Sequence, residues 1–171
     1  FATSPIATGQ KFNSSYDNKS FASSFGVYAS NPSEVYANHY GASELRDTLQ
    51  GMATNTSYFT SAEQGLMNAT TVTTKDTKNS SVTYTTTNKL YALQGDYDND
   101  QYLWAGTDDS TVLAMSSYLR NGEWFWLRSP YADDANIASL GYTGSAVGER
   151  NVDNDFAVRP ASNLNLSSVL F

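Results

Sequence analysis

The chain has 171 residues, with Lys+Arg 10 against Asp+Glu 17, a formal net charge of -7 and no cysteine. That length suits one domain with a sizeable core, the acidic balance disfavours nucleic acid and anionic membrane surfaces, and the missing thiols exclude disulfides, iron–sulfur clusters and thiolate zinc sites. Ser, Thr and Asn make up roughly a third of the residues while only 16% are charged, a composition that points to an exported protein of a bacterial surface.

Residues 1–35 mix Ser, Asn, Tyr and Phe without a sustained period and read as an irregular lead-in of the same domain, with short strands expected around Phe21 to Tyr28. From residue 36 to 171 the pattern becomes legible. Leu45, Leu49 and Met52 share one helical face, with Ser43 as N-cap and Gly51 near the stop. Thr60 and Glu63 form a capping box that opens a second helix running to about Asn68. The Thr-rich stretch from Thr70 to Thr87 predicts an exposed ribbon pairing around Val82 and Tyr84. Leu90 to Leu93 is short and apolar enough to enter the core as a strand.

Val112, Met115 and Leu119 then fall at helical spacing, which predicts a third helix closed by Asn121-Gly122. Trp124 to Leu127 is apolar at every position, as in a central strand covered on both sides, so Trp124 and Trp126 are expected in the core. Ala135 to Leu140, Ala146-Val147 and Phe156 to Val158 follow as short strands separated by turns carrying Gly141, Gly144 and Gly148. Helices early and strands late predict an α+β fold, with two early helices packed on a small, twisted, mainly antiparallel sheet.

Chemistry-bearing patterns are sparse. The single histidine, His39, neighbours no nucleophile signature, so triad chemistry is not expected and the residue reads as a partly buried or surface side chain. Asp96, Asp98 and Asp100 alternate like the first half of a calcium loop, but Gln101 and Thr107 stand where that loop needs Gly and Glu. They are expected to be solvated turn acids offering at most one weak calcium site, and no other cofactor is implied. Asp133, Asp134, Glu149, Asp153 and Asp155 are the carboxylates from which a glycan hydrolase would have to draw its pair. Arg128 and Arg159, each close before a proline, are expected to satisfy loop carbonyls or a carboxylate and pin those turns.

The runs FWLRSP at 125–130 and AVRPASNLNLSS at 157–168, preceded by YGASELRDTL at 40–49 and FTSAEQ at 59–64, resemble a large uncharacterised family of bacterial surface domains. That family looks like the C-type lectin-like fold, and the resemblance covers roughly residues 36–168. The same motif pair is similar to the C-terminal end of variable proteins of diversity-generating retroelements, which display changeable residues between fixed framework motifs. The resemblance implies a C-type lectin-like ligand-binding domain over 36–171, forming part of a longer surface protein. It places a ligand-binding set at Tyr131, Asp133, Asp134, Asn136, Tyr142, Arg150, Asn151, Asp153 and Asn154. Tyr supplies rigid contact area and Asn and Asp supply adaptable hydrogen bonds, as in paratopes. The calcium-lectin sugar triplets EPN and QPD are absent, and Asn154-Asp155 only faintly echoes the WND element.

The function expected from these readings is a non-enzymatic extracellular module for adhesion or recognition. Its partner would be a protein or glycan on another cell or host surface, bound through residues 131–155 and diversified there if the retroelement likeness holds. The alternatives are a carboxylate-dependent glycan hydrolase and a structural stalk domain.

Overall fold

The run Trp124-Phe125-Trp126-Leu127 sits where its sequence demands. Side chains alternate across a strand, so a strand apolar at every position needs cover on both faces, and it receives it. In the computed structural model, which describes residues 2–21, 31, 33–76, 83–95, 102–104, 112–114, 123–131, 134–142 and 146–168, Trp126 packs into one core with Phe12, Tyr40, Leu45, Leu49, Met52, Ala138, Leu140 and Val158. Phe125 and Leu127 pack into a second, on the opposite face, with Val72, Tyr91, Leu93, Val147, Ala157 and Ala161.

In chain order the described elements are β1 (Ala7–Gln10), β2 (Lys19–Ser20), β3 (Glu34–Val35), a 3-10 turn at Tyr40–Ala42, α1 (Glu44–Ala53), α2 (Ser61–Leu66), β4 (Met67–Asn68), β5 (Thr70–Lys75) and β6 (Thr83–Asn88). They continue with β7 (Gln94–Gly95), β8 (Tyr102–Trp104), β9 (Val112–Ala114), β10 (Trp124–Pro130), β11 (Ile137–Tyr142), β12 (Ala146–Asn151), β13 (Phe156–Val158) and β14 (Asn163–Leu164), before a 3-10 turn at Leu166–Ser168. The main sheet has the order β1-β13-β10-β11-β12. It is mixed: β10 runs parallel to β13 through Phe125↔Ala157, while β1–β13, β10–β11 and β11–β12 are antiparallel.

This architecture corrects the expected α+β fold, and with it the C-type lectin-like arrangement of two helices packed on a small sheet. The chain is mainly β. Of the two α-helices among the described residues, α1 buries an apolar face through Leu45, Leu49 and Met52, whereas α2 buries none of its six residues. Strands provide much of the cover that helices were expected to give, since β5 contributes Val72 to the second core and β6 contributes Tyr84 to the first. The third helix is also corrected. Val112–Ala114 is a strand paired antiparallel with Tyr102–Trp104, and 115–120 lie outside the described residues.

Local signals fared better. Ser43 Oγ caps α1 by accepting from the Arg46 amide at 3.0 Å, and it donates to the Tyr40 carbonyl at 2.8 Å. The capping box is complete: Thr60 Oγ1 accepts from the Glu63 amide while the Glu63 carboxylate accepts from the Thr60 amide at 2.7 Å. α2 nevertheless stops at Leu66. The Thr-rich segment forms the β5–β6 ribbon, with one face turned inward at Thr70, Val72, Thr74, Tyr84, Thr86 and Asn88. Leu90 to Leu93 enters the core as an extended segment carrying a single bridge, Tyr91↔Ala161. The strands expected around Phe21 to Tyr28 fall mostly on 22–30, outside the described residues. Because Ser43 is fully buried and serves two backbone groups, Ser43→Ala will lower the unfolding free energy by about 1 to 2 kcal/mol in a urea titration.

The two framework arginines join segments that are distant in sequence. Arg128 is 1% exposed. Its guanidinium donates to the Thr73 carbonyl at 3.2 Å, the Ala92 carbonyl at 2.9 Å and Gln94 Oε1 at 3.2 Å, tying β10 to β5 and to the 92–94 segment. Arg159 donates to the carbonyls of Ala2 at 3.2 Å and Thr3 at 2.8 Å and lies 5.0 Å over the Phe125 ring. Burial lowers its pKa from the ordinary value.

Candidate functional site

The surface expected to face a ligand is built on β11, β12 and the turns at their ends. The 134–136 turn forms because the Asp134 carboxylate accepts from the Asn136 amide at 2.8 Å, a local bond that fixes an Asx turn. Asn38, fully buried, holds the same region from beneath by donating to the carbonyls of Tyr131, Asp134 and Ile137. Tyr131, Asp134 and Asn136 are consequently half-buried.

Asn151 pairs with Ile137 across β11–β12, and the Val152 amide donates to the Asn136 carbonyl, so the 151–154 turn lies beside the 134–136 turn. These turns bring Tyr131, Asp134, Asn136, Asn151, Asp153 and Asn154 to one end of the hairpin. Tyr142 belongs to the other end, opposite Ala146 and Trp124. Asp133 and the three carboxylates Asp96, Asp98 and Asp100 lie outside the described residues. Among the described residues, no group of three or more His, Asp or Glu side chains is placed to hold a metal ion.

A contribution from the N-terminal segment completes this end. The amides of Phe12 and Asn13 both donate to the Val152 carbonyl at 3.0 Å, which draws residues 12–16 along the turn. The Asn13 side chain donates to the Ala37 carbonyl and accepts from the Glu44 amide. Tyr16 is thereby placed to donate to the Asp153 carboxylate at 2.8 Å and accept from Asn151 Nδ2 at 3.1 Å, with 45% of its surface still exposed. Its hydrogen bond to Asp153 raises the phenol's pKa. Sequence reasoning missed Tyr16 because its partners lie 135 and 137 positions away.

Beyond Asn154 the surface runs into an open groove of about 250 Å³ lined by Thr8, Gly9, Glu123, Trp124, Asp155, Phe156 and Ala157. Two glycines shape it. A Cβ on Gly148 would stand 2.6 Å from the Trp124 ring, so the bare backbone of β12 is what lets the indole lie down there. Gly9 has φ of 65°, the left-handed region that glycine enters freely, and a Cβ there would meet nothing within 4 Å. It interrupts the pairing of β1 with β13, whose register shifts between Ala7 and Gln10.

Trp124 and Phe156 are half-buried, while Glu123 and Asp155 are exposed. The Arg150 guanidinium, also exposed, lies 5.8 Å from the Trp124 centroid. The expectation that both strand tryptophans are core is met fully by Trp126, which is 1% exposed and donates its indole N–H to the Gln10 carbonyl at 2.8 Å, and in part by Trp124, which packs half-buried against the first core and also lines the groove. Alternation along β10 could not separate them, because both point to the same face of the sheet. Chemically, the groove offers an aromatic floor, two carboxylate acceptors and one neighbouring cation.

Neither the curated proteins nor the solved structures include a match to the chain. The family of domains described as domain of unknown function DUF6273 matches residues 17–166, a span that holds both framework arginines and the β10 and β13 side of the groove but not Thr8, Gly9 or Tyr16, and the chain belongs to that family.

Proposed function

We propose that the chain is a non-enzymatic, extracellular ligand-binding module of a bacterial surface protein, engaging a protein or glycan ligand. The observation that carries this reading is a surface of mixed aromatic, amide and charged side chains: Tyr16, Asn151, Asp153 and Asn154 at one end of the β11–β12 hairpin, and Trp124, Asp155 and the neighbouring Arg150 about the groove. Such a face combines large, rigid contact area with adaptable hydrogen bonding. Buried framework supports it, with Asn38, Val152 and Trp126 fixing the backbone from which those side chains project. A preorganised surface loses less entropy on binding.

The test is an array of bacterial and host glycans together with a panel of extracellular matrix proteins, probed with the purified chain. Saturable binding is expected, weakened about 30-fold or more by Trp124→Ala or Tyr16→Ala if each anchors the ligand. Absence of saturable binding, or binding indifferent to both substitutions, would contradict the reading. Among the described residues no helix is long and apolar enough to cross a membrane.

A further inference from the structure

The groove at Trp124 has a charge pattern distinct from the amide-rich turns beside it. Among the described residues that line it, Glu123 and Asp155 are acidic and none is basic. The floor consists of an indole and a phenyl ring, which attract cations through their faces when these approach within about 6 Å of the ring centroid. The Trp124 ring already has a guanidinium near it, that of Arg150 at 5.8 Å. Arg150 does not line the groove and is exposed, and the buried Arg159 guanidinium, which interacts electrostatically with Glu123, is not part of the lining either, so the charged side chains that face the groove are the two carboxylates. The chain's net charge of -7 would favour the approach of a basic partner over an acidic one.

We propose that this groove receives a cationic side chain, lysine or arginine, of a protein ligand. The inference rests on the binding-module reading and narrows it. The alkyl stem of the incoming side chain would lie on Trp124 and Phe156, and its charged head would meet Glu123 and Asp155. The groove is open at Gly9, one of its lining residues, since nothing stands within 4 Å of where a Cβ there would be. Arg150 is the electrostatic opponent of such a ligand and weakens it by like-charge repulsion.

The experiment is an NMR titration of the ¹⁵N-labelled chain, following the Trp124 indole resonance, assigned by its absence in Trp124→Phe. The probes are the peptides acetyl-Gly-Lys-Gly-amide, acetyl-Gly-Arg-Gly-amide and acetyl-Gly-norleucine-Gly-amide, with chitotriose as a neutral saccharide. The lysine and arginine peptides are expected to shift the resonance saturably, and norleucine to bind about fivefold more weakly. Glu123→Gln combined with Asp155→Asn should reduce the cationic peptides to the norleucine level, added salt should weaken them, and Arg150→Gln should strengthen them. Equal affinity for lysine and norleucine, or no saturable shift with either cationic peptide, overturns the proposal. So does tight chitotriose binding that Arg150→Gln weakens, because a sugar would use that guanidinium as a donor. Array binding that survives in the Glu123→Gln/Asp155→Asn variant overturns the cationic groove alone and leaves the binding-module reading standing.

Discussion

Replacing Arg128 with methionine will lower the unfolding free energy by about 3 to 5 kcal/mol, because a buried, fully engaged charged group is removed while its acceptors stay buried. Methionine keeps most of the stem and none of the donors. The carbonyls of Thr73 and Ala92 and the side-chain oxygen of Gln94 then lose the bonds that join β10 to β5 and to the 92–94 segment. Lysine should recover only part of the loss, since one ammonium on a flexible stem does not reproduce a planar fork that spans three acceptors. Urea unfolding with an unchanged denaturant slope measures the effect. A loss below about 1 kcal/mol would show that the network is dispensable.

Acid should destabilise the chain through His39. The ring is 2% exposed, stacked on Tyr84 with centroids 3.9 Å apart and 5.1 Å from Phe21. It is more deeply buried than its sequence context suggested. Burial lowers its pKa from 6.5 to about 4. Between those values the unfolded chain binds a proton that the folded chain refuses, so stability rises with pH there. The contribution is fully present above the unfolded pKa and is lost as the pH falls from 6.5 towards 4. At 1.36 kcal/mol for each pH unit, the loss between pH 7 and pH 4 is about 3 kcal/mol. Comparing wild type with His39→Phe removes the carboxylate contributions common to both. The wild type should lose that much more stability on acidification than the variant, and parallel pH profiles would refute a neutral buried imidazole.

The parts of this fold legible in the sequence were those fixed by local chemistry. Ser43 and the Thr60–Glu63 pair announce helix starts because capping joins residues only three positions apart. The doubly apolar run at 124–127 announces a central strand because its own pattern requires two covered faces. The fold class was misread for a related reason: helix signals are local and conspicuous, while the strands that cover the sheet are assigned by distant partners. Val112 looked helical through its spacing to Met115 and Leu119, yet Val112–Ala114 pairs with Tyr102–Trp104. The strand β1 is fixed by β13, since Ala7 pairs with Val158. Nothing within Ala7–Gln10 itself encodes that.

The candidate site divides in the same way. Asn151, Asp153 and Asn154 enter the candidate set through the resemblance, whereas Tyr16 joins them through tertiary contacts that its own sequence neighbourhood does not show. Trp124 reads as core because it opens a run that is apolar at every position, and it does pack half-buried against the first core. Its exposure is decided by its place at the start of β10, beside Glu123 and across from Gly9 and Asp155. Arg128 and Arg159 are expected to satisfy carbonyls and pin their turns, since a guanidinium amid apolar neighbours must find acceptors; Arg159 does so on Ala2 and Thr3 of the irregular lead-in, whereas Arg128 reaches Thr73 on β5, Ala92 and the Gln94 side chain and so joins strands.

The proposed binding function requires that the residues holding the fold and the residues meeting the ligand be different sets. Its most direct measurement pairs urea unfolding with array binding for Arg128→Met and Trp124→Ala, both assayed at a temperature where each is folded. Arg128→Met should lose about 3 to 5 kcal/mol of stability and bind with wild-type affinity, whereas Trp124→Ala should lose less than about 1.5 kcal/mol and bind about 30-fold more weakly or worse. Binding that follows stability in both variants, or that persists undiminished without the Trp124 ring, would contradict it.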